Sequence, residues 1–260
     1  MGIYSRNGKM SMTHSVSIED DTYPVRLSKV GDAPGKLYYK GSYRPQLFEK
    51  CLAVVGTRRM TRYGERVTRD LVKEIAGAGV TIVSGFMYGV DAAAHAAALE
   101  VGGRTIAVMP CGIEMIHPHF QRDLYYEILR RGGLVMSEYG GMFPAKVWTY
   151  PQRNRIVAGL SQAVLVTEGD ERSGSLITAR FGEKYGRRLF AVPGPVTSPV
   201  SRGTLELIKS GRAEMVTEAG DVLKHYEIRI GEEVGGESVP DDNGGETEEA
   251  AGLFDEAAVL

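Results

Sequence analysis

Cysteine is scarce in this chain: only Cys51 and Cys111 occur among 260 residues, both within apolar, strand-like runs. That excludes a disulfide framework and reads as buried thiols in a reducing compartment. No apolar run approaches the roughly 18 residues that a membrane-crossing helix needs. The opening stretch, with Ser5, Arg6, Asn7 and His14, lacks the apolar centre of a secretory signal. The expectation is a soluble, cytoplasmic protein without a membrane partner. Glycine is missing from Thr57 to Tyr63, so the G-x-G-x-x-G dinucleotide fingerprint is absent after the first strand candidate. The second strand candidate ends in Ser84-Gly85, with no carboxylate for a ribose. No nicotinamide or other cofactor is expected. Asp91 and His95 lie four apart on one helix face and read as a helix cap with a structural histidine. His117 and His119 read as loop structure, because no cysteine or carboxylate cluster completes a zinc site.

A net charge of −2 hides an asymmetry. Residues 227–260 carry 11 acidic residues and one basic one, which leaves 22 acidic and 30 basic residues in 1–226. The body is therefore cationic, near +8, and the tail anionic. A cationic body points to a polyanionic partner.

Residues 1–20 are polar and unpatterned and read as disordered. Residues 21–49, rich in Pro, Gly and Tyr, read as an extended arm lying on a core formed by residues 50–226. Within the core, strand candidates at 51–56, 80–85, 104–109, 133–138, 162–167 and 188–193 alternate with helical patterns. The helices fall near 62–78, 88–101, 120–131, 153–160, 174–186 and 203–210. Near-continuous apolar strands separated by helices imply a parallel sheet covered on both faces. The fold class is α/β: a doubly wound, mostly parallel, extended Rossmann-like sheet. The segment 227–260 has the low hydrophobicity and high charge of a disordered tail. Its acidic residues are expected to compete with a polyanion for the basic pocket, or else to be a solvated linker.

Ligands of such a sheet bind beyond the carboxyl ends of its strands. After the first strand, Gly56 permits a tight turn, and Thr57, Arg58, Arg59 and Arg62 stand at the start of the next helix. After the second, Ser84 and Gly85 lead through Gly89 into an Ala-rich helix. These glycines read as a phosphate cradle; the competing reading is a turn that needs glycine for packing. After the fourth, Lys146 lies among Trp148, Tyr150, Arg153, Asn154 and Arg155. Cations interleaved with aromatics suit single-stranded nucleic acid, whose phosphates meet Lys and Arg while its bases stack on rings. Trp148 is equally readable as core. After the fifth, Ser173, Gly174 and Ser175 can cap a helix and offer hydroxyl and N–H groups to phosphate, with Thr178 one turn on.

The stretches "IVSGFMYGVDAAAHAAAL", "YPQRNRIVAGLS" and "ERSGSLITAR", with "VVGTRR", "TIAVMPCGIEMIHP" and "FAVPGPVTSPVSRGTLELI" in order, resemble the DNA-processing protein A family, also called DprA or Smf. The resemblance covers roughly residues 19–225. It implies a Rossmann-type domain that binds single-stranded DNA, protects incoming strands during natural transformation and loads the RecA recombinase. It further implies a homodimer. Carried over residue by residue, the family's main DNA-contacting arginine falls on Arg58, its pocket lysine on Lys146 and its stacking aromatic on Tyr150. Backbone and hydroxyl contacts fall near Ser84, Gly85, Gly174 and Ser175. A helical N-terminal domain and a C-terminal winged helix, present in many members, are not legible here.

Two other classes compete. Nucleotide phosphoribohydrolases of the LOG type share the fold, yet their Pro-Gly-Gly-x-Gly-Thr loop is replaced here by Glu168-Gly169-Asp170-Glu171-Arg172-Ser173. No acid–base pair is evident, so no enzyme is expected. A nucleotide-sensing module is the third reading. If Arg58, Lys146, Arg153 and Arg155 each meet a phosphate, log affinity should fall with log salt at a slope of about −3.

Overall fold

A computed structural model describes residues 12–228. The expectations for residues 1–11 and for the acidic tail lie outside the described residues. Among the described residues nine strands form one sheet: β1 (His14–Ser17), β2 (Lys36–Gly41), β3 (Cys51–Val55), β4 (Thr81–Ser84), β5 (Thr105–Met109), β6 (Leu134–Ser137), β7 (Ala163–Val166), β8 (Arg188–Ala191) and β9 (Glu214–Met215). Their spatial order is β1-β2-β6-β5-β4-β3-β7-β8-β9. Strands from β6 to β9 across the sheet are parallel, while β1 and β2 add an antiparallel edge. The mostly parallel, doubly wound sheet is as the apolar runs predict.

Eight α-helices among the described residues accompany it: α1 (Val25–Ser28), α2 (Arg62–Gly77), α3 (Val90–Glu100), α4 (Arg122–Arg130), α5 (Thr149–Leu160), α6 (Ser175–Lys184), α7 (Arg202–Lys209) and α8 (Ala219–Leu223). The central strand shows why both faces need cover. Leu52 and Val54 belong to the apolar layer under α2, α3 and α8, whereas Ala53 and Val55 belong to the layer under α5 and α6. Successive side chains on a strand point to opposite faces, so a strand apolar at every position is buried twice.

Two differences from the sequence reading concern the N-terminal segment and the arm. Residues 14–17, read as unpatterned, form β1, held by pairing with β2, by burial of Val16 and by stacking of His14 on Tyr39. The arm is also less extended than expected. Its α1 turn buries Leu27 against α5, where Gly159 leaves the space that Leu27 occupies, and Arg187 donates to the Arg26 and Gly159 carbonyls. Helix α5 starts earlier than the predicted 153, because Pro151 sits in its first turn, where no intrahelical N–H is missed.

The strand order reverses direction between β3 and its neighbour β7. A crevice opens at such a switch point, beyond the carboxyl ends of the strands.

Candidate nucleic-acid interface

A cleft of about 630 Å3 occupies that crevice. Its walls come from the loops after β3, β4 and β7 and from one face of α5. On α5 the lining residues Tyr150, Arg153, Asn154 and Val157 follow helical spacing, so a single face meets the cleft.

The loop after β3 is fixed at both ends. Thr57 N–H donates to the Glu168 carbonyl at 2.7 Å, and its carbonyl accepts from Val90 N–H at 3.2 Å. Thr61 caps α2 through Gly64 N–H at 3.0 Å. Its own N–H and hydroxyl donate to the two carboxylate oxygens of buried Glu168 at 2.8 and 2.7 Å. A methyl at Gly64 would intrude on that carboxylate. Between these anchors stand Arg58 and Arg59, both exposed. The Arg58 guanidinium lies 5.0 Å from the Tyr150 ring centre and 5.9 Å from that of Tyr88. Such cation–aromatic contacts orient the cation without neutralising it. Among the described residues, none of Arg58, Arg59 and Lys146 is paired with a carboxylate.

Glycine in the loop after β4 serves packing. Gly89 adopts φ +79°, in the left-handed region that suits glycine, and a side chain there would strike the Thr57 carbonyl and the Arg58 backbone. The packing reading therefore replaces the phosphate cradle at Gly89. Gly85 does line the cleft, but the space of its missing side chain is filled by the Arg153 guanidinium and the Asp91 carboxylate. Ser84 is fully buried, donates to the Val54 carbonyl at 2.6 Å and is not part of the cleft lining. Phe86 holds φ +57°, a conformation costly for a bulky residue. Burial of its ring and a 3.0 Å bond from Gln121 to its carbonyl keep it there.

Arg153 is placed differently from the sequence expectation. It is 3% exposed and donates to the carbonyls of Gly85 and Val108, the latter at 2.5 Å. Burial pulls its pKa down to about 10, partly offset by nearby Asp91. Burial raises the Asp91 carboxyl from the ordinary range, and Arg153 opposes the rise. Arg153 thus braces the floor of the cleft. Arg155 is a plainer correction. It leaves the cleft, binds Glu138 at 2.5 Å and donates to the Asp32 carbonyl of the arm. Residues two apart on a helix point about 200° apart, so Arg153 and Arg155 cannot share a cup.

Tyr150 is held by a 2.8 Å hydrogen bond between its hydroxyl and His117 Nε2. The loop histidine therefore has a positioning role that spacing did not reveal. Burial lowers the His117 pKa, with His119 and Arg58 adding to the effect. Asn154 bridges the walls, accepting from Arg153 Nε at 3.1 Å and donating to the Gly174 carbonyl at 3.3 Å. Gly174 is exposed with open space around it, and the Ser173 and Ser175 hydroxyls pair at 2.7 Å. Thr178 forms part of the buried wall. Lys146 stands outside the cleft lining, exposed, with its ammonium 5.5 Å from the Phe143 ring centre. Trp148 is 47% exposed and sets its edge against Tyr139 and Phe143, so it is not core. The residues that sequence reasoning passed over are Tyr88, His117 and Glu168; the one signal for Tyr88 is its place between Gly85 and Gly89.

No group of three or more potential metal-ligating side chains occurs among the described residues. His95 is fully buried, with Nδ1 2.7 Å from the Thr105 hydroxyl, and burial pushes its pKa down to about 3. Among the described residues no helix is long and apolar enough to cross a membrane.

Residues 14–227 match the family model for DNA recombination-mediator protein A. The chain is 42% identical over 217 residues to Protein Smf of Escherichia coli, covering 84% of this chain and 58% of that protein. To the DNA processing protein DprA of Streptococcus pneumoniae it is 42% identical over 215 residues, covering 82% of this chain and 74% of that one. The chain thus spans little more than half the length of the E. coli relative. The crystal structure of the S. pneumoniae protein superposes with a TM-score of 0.76 at 40% identity, covering 84% of this chain and 75% of that one. DNA processing protein A from Helicobacter pylori, whose structure concerns its single-stranded DNA binding mode, superposes with a TM-score of 0.74 at 32% identity, covering 84% and 96%. The chain belongs to the DNA recombination-mediator protein A family, the family of DprA and Smf.

Proposed function

We propose that this protein binds single-stranded DNA in the cleft at the β3–β7 switch point and acts in DNA processing during recombination. The observation that carries this reading is Arg58, an exposed cation without a carboxylate partner among the described residues, flanked by the rings of Tyr150 and Tyr88. Phosphate attraction from Arg58 and Arg59, with base stacking on the rings, suits an unpaired strand rather than a duplex, whose bases are already stacked. Lys146 at the rim extends the cationic path. Open backbone at Gly174 offers close approach to a sugar-phosphate chain.

The cleft is read as a binding site without chemistry of its own. Its carboxylates have structural duties: Asp91 accepts from Met87 N–H at 3.2 Å, Asp170 from Arg172 N–H at 2.7 Å, and Glu168 behind the wall from Thr61. The family resemblance extends the proposal to protection of incoming strands in the cytoplasm, delivery to a RecA-type recombinase, and action as a homodimer. Gel-shift measurements with matched single- and double-stranded oligonucleotides test it. The single strand should be preferred, with Arg58→Ala and Lys146→Glu each weakening its retention. Equal retention of duplex, or indifference to both substitutions, overturns the reading.

A further inference from the structure

Aromatic side chains continue beyond the cleft along the same rim of the sheet. Strands β7, β3, β4 and β5 are consecutive neighbours, and beyond their carboxyl ends stand Gly174, Arg58, Tyr88 and Phe120 in that order. Tyr150 and Arg58 are 5.0 Å apart, Arg58 and Tyr88 5.9 Å, and the rings of Tyr88 and Phe120 5.9 Å. Tyr88 is 40% exposed and Phe120 is 72% exposed.

Phe120 is exposed on a turn that is itself fixed. His117, on one side, is bonded to the Tyr150 hydroxyl at 2.8 Å. Gln121, on the other, is buried and donates to the Phe86 carbonyl at 3.0 Å. An exposed ring on an anchored turn loses little conformational freedom on binding. Exposed His119 and Arg122 flank it, and among the described residues Arg122 has no carboxylate partner. A ring open to solvent beside a cation is the arrangement that receives an unstacked base with its phosphate.

Resting on the proposed function, we infer that Tyr88 and Phe120 form a second stacking subsite, which takes the bases of a strand leaving the cleft across the ends of β4 and β5. The occupant is the same single strand, since the ladder is continuous with Arg58 and carries a further cation, Arg122, at its far end.

Fluorescence anisotropy on the full chain, with labelled oligothymidylates of about 5 and about 15 nucleotides, tests this within the site sizes known for single-strand binders. Phe120→Ala should weaken the long oligonucleotide about tenfold, leave the short one within about twofold, and be rescued by Phe120→Trp. Loss of binding for both lengths in Arg58→Ala, with Phe120→Ala like wild type, overturns the subsite and leaves the cleft reading standing. Failure of the wild type to bind either oligonucleotide overturns both. A change in oligomeric state of Phe120→Ala by sedimentation, without loss of long-strand affinity, assigns the patch to protein contact and also overturns the subsite.

Discussion

The guanidinium of Arg58 and the ring of Tyr150 lie 5.0 Å apart, brought together from the loop after β3 and the first turn of α5. Neither position is free to drift. Glu168 bonds Thr61 at the end of the arginine loop, and His117 bonds the Tyr150 hydroxyl. The cleft therefore presents a cation and a ring already in register, and a strand entering it loses entropy mainly of its own.

Replacement of Tyr150 separates its two contributions. Tyr150→Ala removes the stacking face and should weaken single-strand binding by about 1–3 kcal/mol. Tyr150→Phe keeps the face and loses only the bond to His117, so titration with a labelled oligonucleotide should show a loss under about 1.5 kcal/mol. Equal losses would mean that the ring does not meet a base.

Arg153 should behave as structure. Arg153→Met leaves the Gly85 and Val108 carbonyls without their donor and Asp91 without its nearby cation. A cost of about 1–3 kcal/mol is expected for each buried carbonyl left without its donor. Thermal denaturation should show Tm falling by about 10 °C. Arg58→Ala, on an exposed position, should change stability by less than about 0.5 kcal/mol.

Salt dependence counts the phosphates. Arg153 is buried and Arg155 is bound to Glu138, which leaves Arg58 and Arg59 in the cleft and Lys146 at its rim to meet a strand. The slope of log affinity against log salt for a short oligonucleotide should therefore be about −2, in place of the −3 that counting cations along the chain suggests.

His95 should make the fold acid-sensitive. Its folded pKa is about 3 against an ordinary 6.5, because burial excludes the charged ring. The unfolded imidazole thus binds a proton that the folded one refuses, so stability is full above about 6.5 and declines as pH falls toward 3. Denaturation midpoints at pH 7 and pH 5 should differ in the wild type. In His95→Leu, which loses the bond to Thr105, that difference should shrink even though the midpoint at pH 7 is lower.

The parallel core was legible because β3 to β8 are apolar at nearly every position, and such runs have few alternatives to burial on both faces. Strand β1 was not legible, since His14–Ser17 offers one buried apolar residue, Val16, and owes its form to β2. The positions of Arg58 and Tyr150 in the cleft could be read from strand ends and aromatic spacing. Arg155 could not, because nearness in sequence says nothing of direction on a helix. Gly89 misled for a related reason: a glycine at a ligand edge serves packing as readily as phosphate, and only its neighbours Thr57 and Arg58 decide. His117 and Tyr88 carry no signal until the fold sets them beside Tyr150 and Arg58.

The most direct measurement is the affinity of a labelled oligothymidylate for Arg58→Ala and Arg155→Ala, each checked for an unchanged melting profile. At least a tenfold loss is expected for the first, and affinity within about twofold of wild type for the second. Wild-type affinity in Arg58→Ala, or matching losses in the two, would mean that the strand does not meet Arg58 in the cleft.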